Sequence, residues 1–224
     1  MNQVLHTENM SRYRARQEQR LLDLHAAAST DQGLTAEPSY LPGSTVNARA
    51  IARTLQLAAF YYPQAYHFGY KSFEMDDVVS DVTGDETVSF GVGEGRQLQA
   101  GILLNTPHAL PGDFMGLDAP EPTILSLYRL PKIAPRNIGK VLLATGIDHL
   151  RERNKTALHI SVTSRNTVAR ELYRAVGFRE MYHGHTKGNS RKLVTMTLLG
   201  HDKLKAASDM LKEMIACYNG GNHE

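Results

Sequence analysis

Between Leu127 and Leu143 the chain reads Leu-Tyr-Arg-Leu-Pro-Lys-Ile-Ala-Pro-Arg-Asn-Ile-Gly-Lys-Val-Leu-Leu. A strand-like run ends at Pro131, a short loop follows, and a helix opens near Gly139, so several backbone N–H groups of the loop and first helical turn have no intrahelical partner. Those donors, with the positive end of the helix dipole, suit an anion such as a pyrophosphate, and Gly139 lets the backbone approach it without a side chain in the way. A single glycine at a helix start also serves ordinary packing, so the pattern marks a candidate site with that alternative open.

Other candidate groups are sparser. Glu121 is a carboxylate between Pro120 and Pro122, open to a surface role or to work as a base, and His159 falls inside a strand-like run, where a satisfied core histidine is the alternative. Asn166 stands at the start of a helical pattern, where its side chain would cap the first turn. Gly91-x-Gly-x-Gly95 has the look of a nucleotide loop, but it joins two strand-like runs and opens no helix, so a hairpin is expected. His183-x-His185 lacks a third ligand at metal-site spacing, and no metal is expected. Cys217 is a lone cysteine in a helical pattern, far from any histidine and acid that would activate it.

These residues need elements to hold them. Helix formers fill residues 11–28, with Arg12, Arg14, Arg16 and Arg20 interleaved with Glu18 and Asp23 as on a solvated face, and residues 29–44 read as linker through Gly33, Pro38 and Pro42. The main domain is expected over residues 45–200, opening with a helix capped by Asn47, carried by Ile51, Leu55, Ala58 and Ala59, and stopped by Pro63. A short helix over 74–82 precedes a hairpin of strands 87–92 and 97–104, and a proline-rich loop over 105–122. Then come a strand (123–130), a helix (138–153), a strand (157–162), a helix (166–176) closed by Gly177, and a strand pair (178–183 and 193–198). Residues 201–224 form a last segment whose helix, 202–218, packs on this core or on a second copy, so a homodimer stays open. The fold class is α/β.

Composition narrows the function. The chain has 224 residues, 42% of them hydrophobic and 21% charged, and no apolar run near the length of a bilayer span, so no membrane role is expected. A net charge of +2 is too small to imply nucleic acid. The polar first residues lack the pattern of a secretory leader, and a cytoplasmic location is expected.

Taken together, the motifs resemble the GNAT acetyltransferase superfamily. Its pattern is a strand, a proline, then Arg/Gln-x-x-Gly-x-Gly/Ala opening a helix that soon reads Leu-Leu; here these are Pro131, Ala134, Asn137, Gly139 and Leu142-Leu143. Ala134 and Asn137 depart from it, with Arg136 available to supply charge, and asparagine is among the few residues that tolerate positive φ. The second motif, Asn-x-x-Ala-x-x-x-Tyr-x-x-x-Gly-Phe, is matched from Asn166 to Phe178. The resemblance covers residues 123–198 by motif and 45–122 by element order.

It implies a mixed central sheet splayed between its fourth and fifth strands and flanked by helices; the extra helices read at both ends, within residues 1–44 and 201–224, lie outside the resemblance. It implies acetyl-CoA as co-substrate, its arm lying along Leu127, Tyr128, Arg129 and Leu130, its pyrophosphate at Arg136, Asn137, Ile138, Gly139 and Lys140, and Asn166 on the far side. Tyr173 falls at the family's acid position, and Glu121 lies near where some members carry a glutamate base. The implied reaction is acyl transfer to an amine by direct attack; a longer acyl donor and a non-catalytic CoA-binding module are the alternatives. His183, His185 and Lys187 would border the acceptor pocket.

Overall fold

Period-two alternation along the strands sorts apolar side chains onto two faces, and each face needs a layer of helices to cover it. A computed structural model describes residues 37–62, 65, 75–93, 98–106, 121–131, 133–185 and 192–220, and positions 11–12, 15–16, 19–20 and 23, which are helical. Its strands are β1 (Ser39–Leu41), β2 (Thr87–Val92), β3 (Ala100–Asn105), β4 (Thr123–Arg129), β5 (Ala157–Thr163), β6 (Arg179–His185) and β7 (Lys192–Leu199). The helices of the main body are α1 (Thr45–Tyr61), α2 (Met75–Thr83), α3 (Ile138–Glu152), α4 (Thr167–Ala175) and α5 (His201–Gly220). The expected loop at 107–120, the hairpin tip at 94–97, the segment 186–191 with Lys187, and the side chains of His183 and His185 lie outside the described residues.

The strands join in the order β1-β2-β3-β4-β5-β7-β6. Every neighbouring pair is antiparallel except β4 and β5, which run parallel and match at two positions, Thr123 with His159 and Ile124 with Ile160. Beyond them the strands part. The sheet is thus the splayed mixed sheet that the resemblance implies, with the opening after Ile124.

On one face Ile102, Leu104, Ile124, Leu158, Ile160 and Met196 meet Leu142, Leu143 and Ile147 of α3, Tyr173 of α4, and Leu204 and Leu211 of α5. On the other, Leu41, Leu103, Tyr128 and Leu130 meet Ile51, Leu55 and Leu57 of α1 and Val82 of α2. The C-terminal helix is therefore core rather than appendage, of the two packings left open the one against its own chain. Asp148 on α3 fixes its position by accepting from Ser208 Oγ at 2.7 Å and pairing with Lys212 Nζ at 2.7 Å. Burial opposes ionisation of Asp148, yet hydrogen bonds from Lys212 and Ser208 outweigh it and hold the carboxyl below its usual range.

Three local expectations are corrected. Ser39–Leu41, read as linker, is an edge strand: Tyr40 pairs with Phe90, and Ser89 Oγ donates to Leu41 O at 3.0 Å. This strand makes Thr123–Arg129 the fourth. The cap of α1 is Ser44 rather than Asn47, because Ser44 is the extended residue (φ −92°, ψ 151°) whose Oγ accepts from Asn47 N at 3.2 Å. Asn47 sits in the first turn and donates from Nδ2 to Pro42 O at 3.0 Å. β3 starts at Ala100 rather than Gln97; Leu98 before it is buried beneath α1.

The start of α3 is set by Asn137, which lies in the left-handed region at φ 60°, ψ 3°. Its carbonyl accepts from Lys140 N at 2.8 Å and Val141 N at 3.2 Å, closing the first turn. Asparagine thus does what the family's glycine does. Farther along the helix a Cβ at Gly146 would lie 3.0 Å from Ile102 Cδ1, so the helix rides close on β3.

Two outcomes follow from this packing. Leu211→Ala should lower the unfolding free energy by about 2–5 kcal/mol, since Leu211 is fully buried against α3, as read by denaturant melts. Asn137→Ala should cost about 1–2 kcal/mol through its left-handed backbone while Asn137→Gly stays within about 0.5 kcal/mol of wild type; equal losses would show that the side chain, not the backbone, holds the turn.

Candidate active site

Which backbone groups of β4 face the opening follows from hydrogen-bond parity. In antiparallel strands alternate residues turn their N–H and C=O to opposite neighbours. Thr106 N donates to Glu86 O at 2.7 Å, so even-numbered residues of β3 face β2 and, by alternation, odd-numbered ones face β4. The β4 partners of Gly101 and Leu103, Tyr128 and Ser126, therefore spend their backbone groups on β3. Leu127 and Arg129, between and beyond them, turn theirs to the gap.

At the start of β4 the parity is opposite. His159 N donates to Pro122 O at 2.9 Å, which sets Pro122 and Ile124 toward β5. The switch is made by a bulge: across Leu103 and Leu104 the β4 partners jump from Ser126 to Ile124, one extra residue. Side chains record the same slip. Ile124 and Leu127, three apart rather than two, both belong to the core under α3, whereas Leu125 packs toward α1.

The opening is a narrow cleft of about 60 Å³ lined by residues 124–127 of β4, residues 160–162 of β5, Ala65, and Asn166 and Tyr173 from the α4 side. An extended arm entering it would pair with Leu127 and Arg129 as an added strand does at a sheet edge. Arg129 holds its guanidinium 5.8 Å from the centre of the Tyr62 ring. Asn166 caps α4 by accepting from Ala169 N at 3.3 Å through Oδ1, which leaves the amide NH₂ as its donor group for a ligand. The cap and contact readings of Asn166 are thus compatible.

Tyr173 is 3% exposed, packs its ring 5.5 Å from that of Phe178, and lines the cleft. Burial pushes its phenol well above the ordinary tyrosine range, so it stays protonated and able to donate. A phenol kept in its acid form beside a cleft can donate a hydrogen bond into it.

The candidate anion site lies where β4 hands over to α3. Ile138 is 1% exposed with its side chain in the core and its N–H on Pro135 O at 3.4 Å, so Gly139 beside it carries the open backbone. A Cβ placed on Gly139 would meet nothing within 4 Å, in contrast to Gly146 of the same helix. The left-handed Asn137, the open backbone at Gly139, and Arg136 and Lys140 beside it form a cradle that fits a pyrophosphate.

Two of the residues implied to bind the arm stand apart from the gap. Tyr128 is buried beneath α1 with its ring over Gly101, and Leu130 is fully buried with its N–H given to Gln99 and its C=O accepting from Ala134 N at 3.3 Å. Glu121 meets a partner that sequence reasoning did not pair with it: its Oε2 hydrogen-bonds His159 Nε2, and His159 Nδ1 bonds Thr197 Oγ1 at 2.9 Å. No local pattern joins residues 38 apart in sequence; strand register alone does so. Among the described residues no group of three potential metal ligands occurs, and no helix is long and apolar enough to cross a membrane.

Comparison with known proteins agrees with this geometry. The solved ribosomal-protein-S18-alanine N-acetyltransferase of Escherichia coli is similar over 72% of this chain and 93% of its own, with 18% identity and a TM-score of 0.54. The N-acetyltransferase of Staphylococcus aureus Mu50 is similar over 74% and 97%, with 18% identity and a TM-score of 0.55. The PaiA N-acetyltransferase of Thermoplasma acidophilum, solved with coenzyme A, is similar over 71% and 98%, with 15% identity and a TM-score of 0.51. At these identities the likeness is one of fold. No curated protein sequence matches the chain. The sequence model of the acetyltransferase (GNAT) family matches residues 54–178, more than half of the chain. With both motifs on the splayed sheet and the family model spanning them, the chain belongs to the GNAT acetyltransferase family.

Proposed function

We propose that this protein transfers an acetyl group from acetyl-CoA to a primary amine by direct attack. The observation that carries the reading is the cleft between β4 and β5, where the backbone of Leu127 and Arg129, the Asn166 amide and the Tyr173 phenol converge beside the cradle at Asn137 and Gly139. Family membership supports acetyl-CoA as the donor.

In this reading Arg136, Lys140 and the Gly139 N–H hold the pyrophosphate, and β4 holds the arm and orients the thioester. As the amine nitrogen bonds to the acyl carbon, Glu121 takes the proton that leaves nitrogen. As the C–S bond breaks, Tyr173 gives its phenolic proton to the departing thiolate. The proton on Glu121 returns to Tyr173 through solvent. The products are an amide and free CoA, and both residues regain their starting states. A thiolate is a fair leaving group, so the acid contributes moderately rather than decisively.

The test is a screen of small amines, peptide N-termini and lysine peptides with acetyl-CoA, read by free thiol. Release of CoA with at least one class supports the reading, and none with any class opposes it. Acetyl-CoA should also raise the unfolding midpoint, as any ligand selective for the native state does, and Gly139→Glu should abolish that rise by filling the open cradle with bulk and negative charge. Tyr173→Phe should lower turnover about 100-fold with little change in acetyl-CoA affinity. A rate within threefold of wild type would remove Tyr173 from the mechanism.

A further inference from the structure

On β5 and β7 the residues that face α3 and α5 are apolar: Leu158, Ile160, Val162, Val194, Met196 and Leu198. The alternate residues, His159, Ser161, Thr163, Thr195 and Thr197, are polar, and four of them are at most 8% exposed. A polar row on a sheet face is ordinary when water covers it; a buried one must find partners within the protein. Here His159 meets that demand with both ring nitrogens, bonding Thr197 Oγ1 through Nδ1 and Glu121 through Nε2.

The chemistry fixes the direction of one bond. A carboxylate oxygen only accepts, so Nε2–H donates to Glu121 Oε2. That bond occupies one carboxylate oxygen and holds the group in place, and Oε1 is left for an incoming proton. Thr197, paired with His159 across β5 and β7, fixes the ring from its other side. The buried end of this chain, at His159, is 1% exposed, and the outer end, at Glu121, is 31% exposed, so the carboxylate is reachable. The chain stands where β4 and β5 still pair, and Ser161, the next residue on the same face of β5, already lines the cleft.

We infer that Glu121, His159 and Thr197 form one hydrogen-bonded relay across β4, β5 and β7, in which Glu121 accepts the proton of the acceptor amine and His159 and Thr197 are the residues that position its carboxylate. The inference deepens the acyl-transfer reading and rests on it. It also places the amine on the α1 side of the sheet, the side of the polar row. The titratable group in contact with Glu121 among the described residues is His159; its other recorded contact is Thr123 Oγ1, which donates to the Glu121 carbonyl at 3.3 Å.

The experiment uses the full chain with acetyl-CoA and an amine that releases thiol in the screen above. Glu121→Gln should lower kcat about 100-fold and leave the acetyl-CoA-induced rise in unfolding midpoint intact. His159→Leu should lower kcat about tenfold with KM for acetyl-CoA and the acetyl-CoA-induced rise in midpoint unchanged, and His159→Gln, which keeps an N–H for Glu121, should restore most of kcat. Thr197→Val, which deletes one hydroxyl at the far end, gives the same readout in smaller measure if His159→Leu does not fold. A Glu121→Gln rate within threefold of wild type, or a His159→Leu that lowers the melting point but keeps kcat within threefold of wild type (a Thr197→Val that leaves kcat unchanged where His159→Leu does not fold), would overturn the relay and leave acyl transfer standing. A wild-type chain that neither responds to acetyl-CoA nor releases thiol would remove the acyl-transfer reading and the relay together.

Discussion

A sheet whose fourth and fifth strands match at two residue pairs and then separate has given up ladder hydrogen bonds in its own interior. Backbone N–H and C=O groups away from water need partners, and this constraint organises the rest of the molecule. The bulge in β4 decides which residues carry that need, by turning Leu127 and Arg129 to the gap where an unbroken strand would have offered Ser126 and Tyr128. The helices on either side then decide what enters. α4 brings Asn166 and Tyr173 to its wall, and α3 starts its positive end nine residues after the last residue of β4. An affinity for an extended, amide-bearing ligand would thus be a property of the sheet's incompleteness, with side chains adding position.

Features set by short-range chemistry were legible in the sequence. Pro131 ending a strand, Asn137 tolerating positive φ, Asn166 capping α4 and Gly177 closing it at φ 102° each depend on residues within one turn, and each stands in the structure as read. What escaped depends on partners far along the chain. The Ser39–Leu41 strand is too short to show alternation, and its identity comes from pairing with β2 about fifty residues away. The bulge leaves no mark in composition, since Thr-Ile-Leu-Ser-Leu-Tyr-Arg reads equally well with and without it. Glu121 and His159 each stand out singly in the sequence, but that they meet is a consequence of parallel register. Ser44 and Asn47 are equally good capping types three residues apart, and the backbone geometry alone selects Ser44.

The departures from the family pattern also take on physical sense. Asn137 reproduces a glycine's backbone with a residue that permits it, so the turn survives substitution. Ala134 packs against the core rather than reaching outward, so charge at that mouth is left to Arg136 and Lys140.

The two walls of the gap are unequal in strength. α3 has seven buried residues and lies under the twenty-residue α5, to which Asp148 ties it. α4 has nine residues, of which Tyr173 is the buried one, and a helix that short holds itself weakly. Its anchors are mostly electrostatic: Arg170 and Arg174 converge on Glu180 of β6, and Arg170 also donates to Ser164 O at 2.9 Å. Opening free energies within a protein follow such differences in buried contact. By that rule α4 opens at lower cost than α3, so Asn166 and Tyr173 stand on the light side of the gap while β4 belongs to the frame.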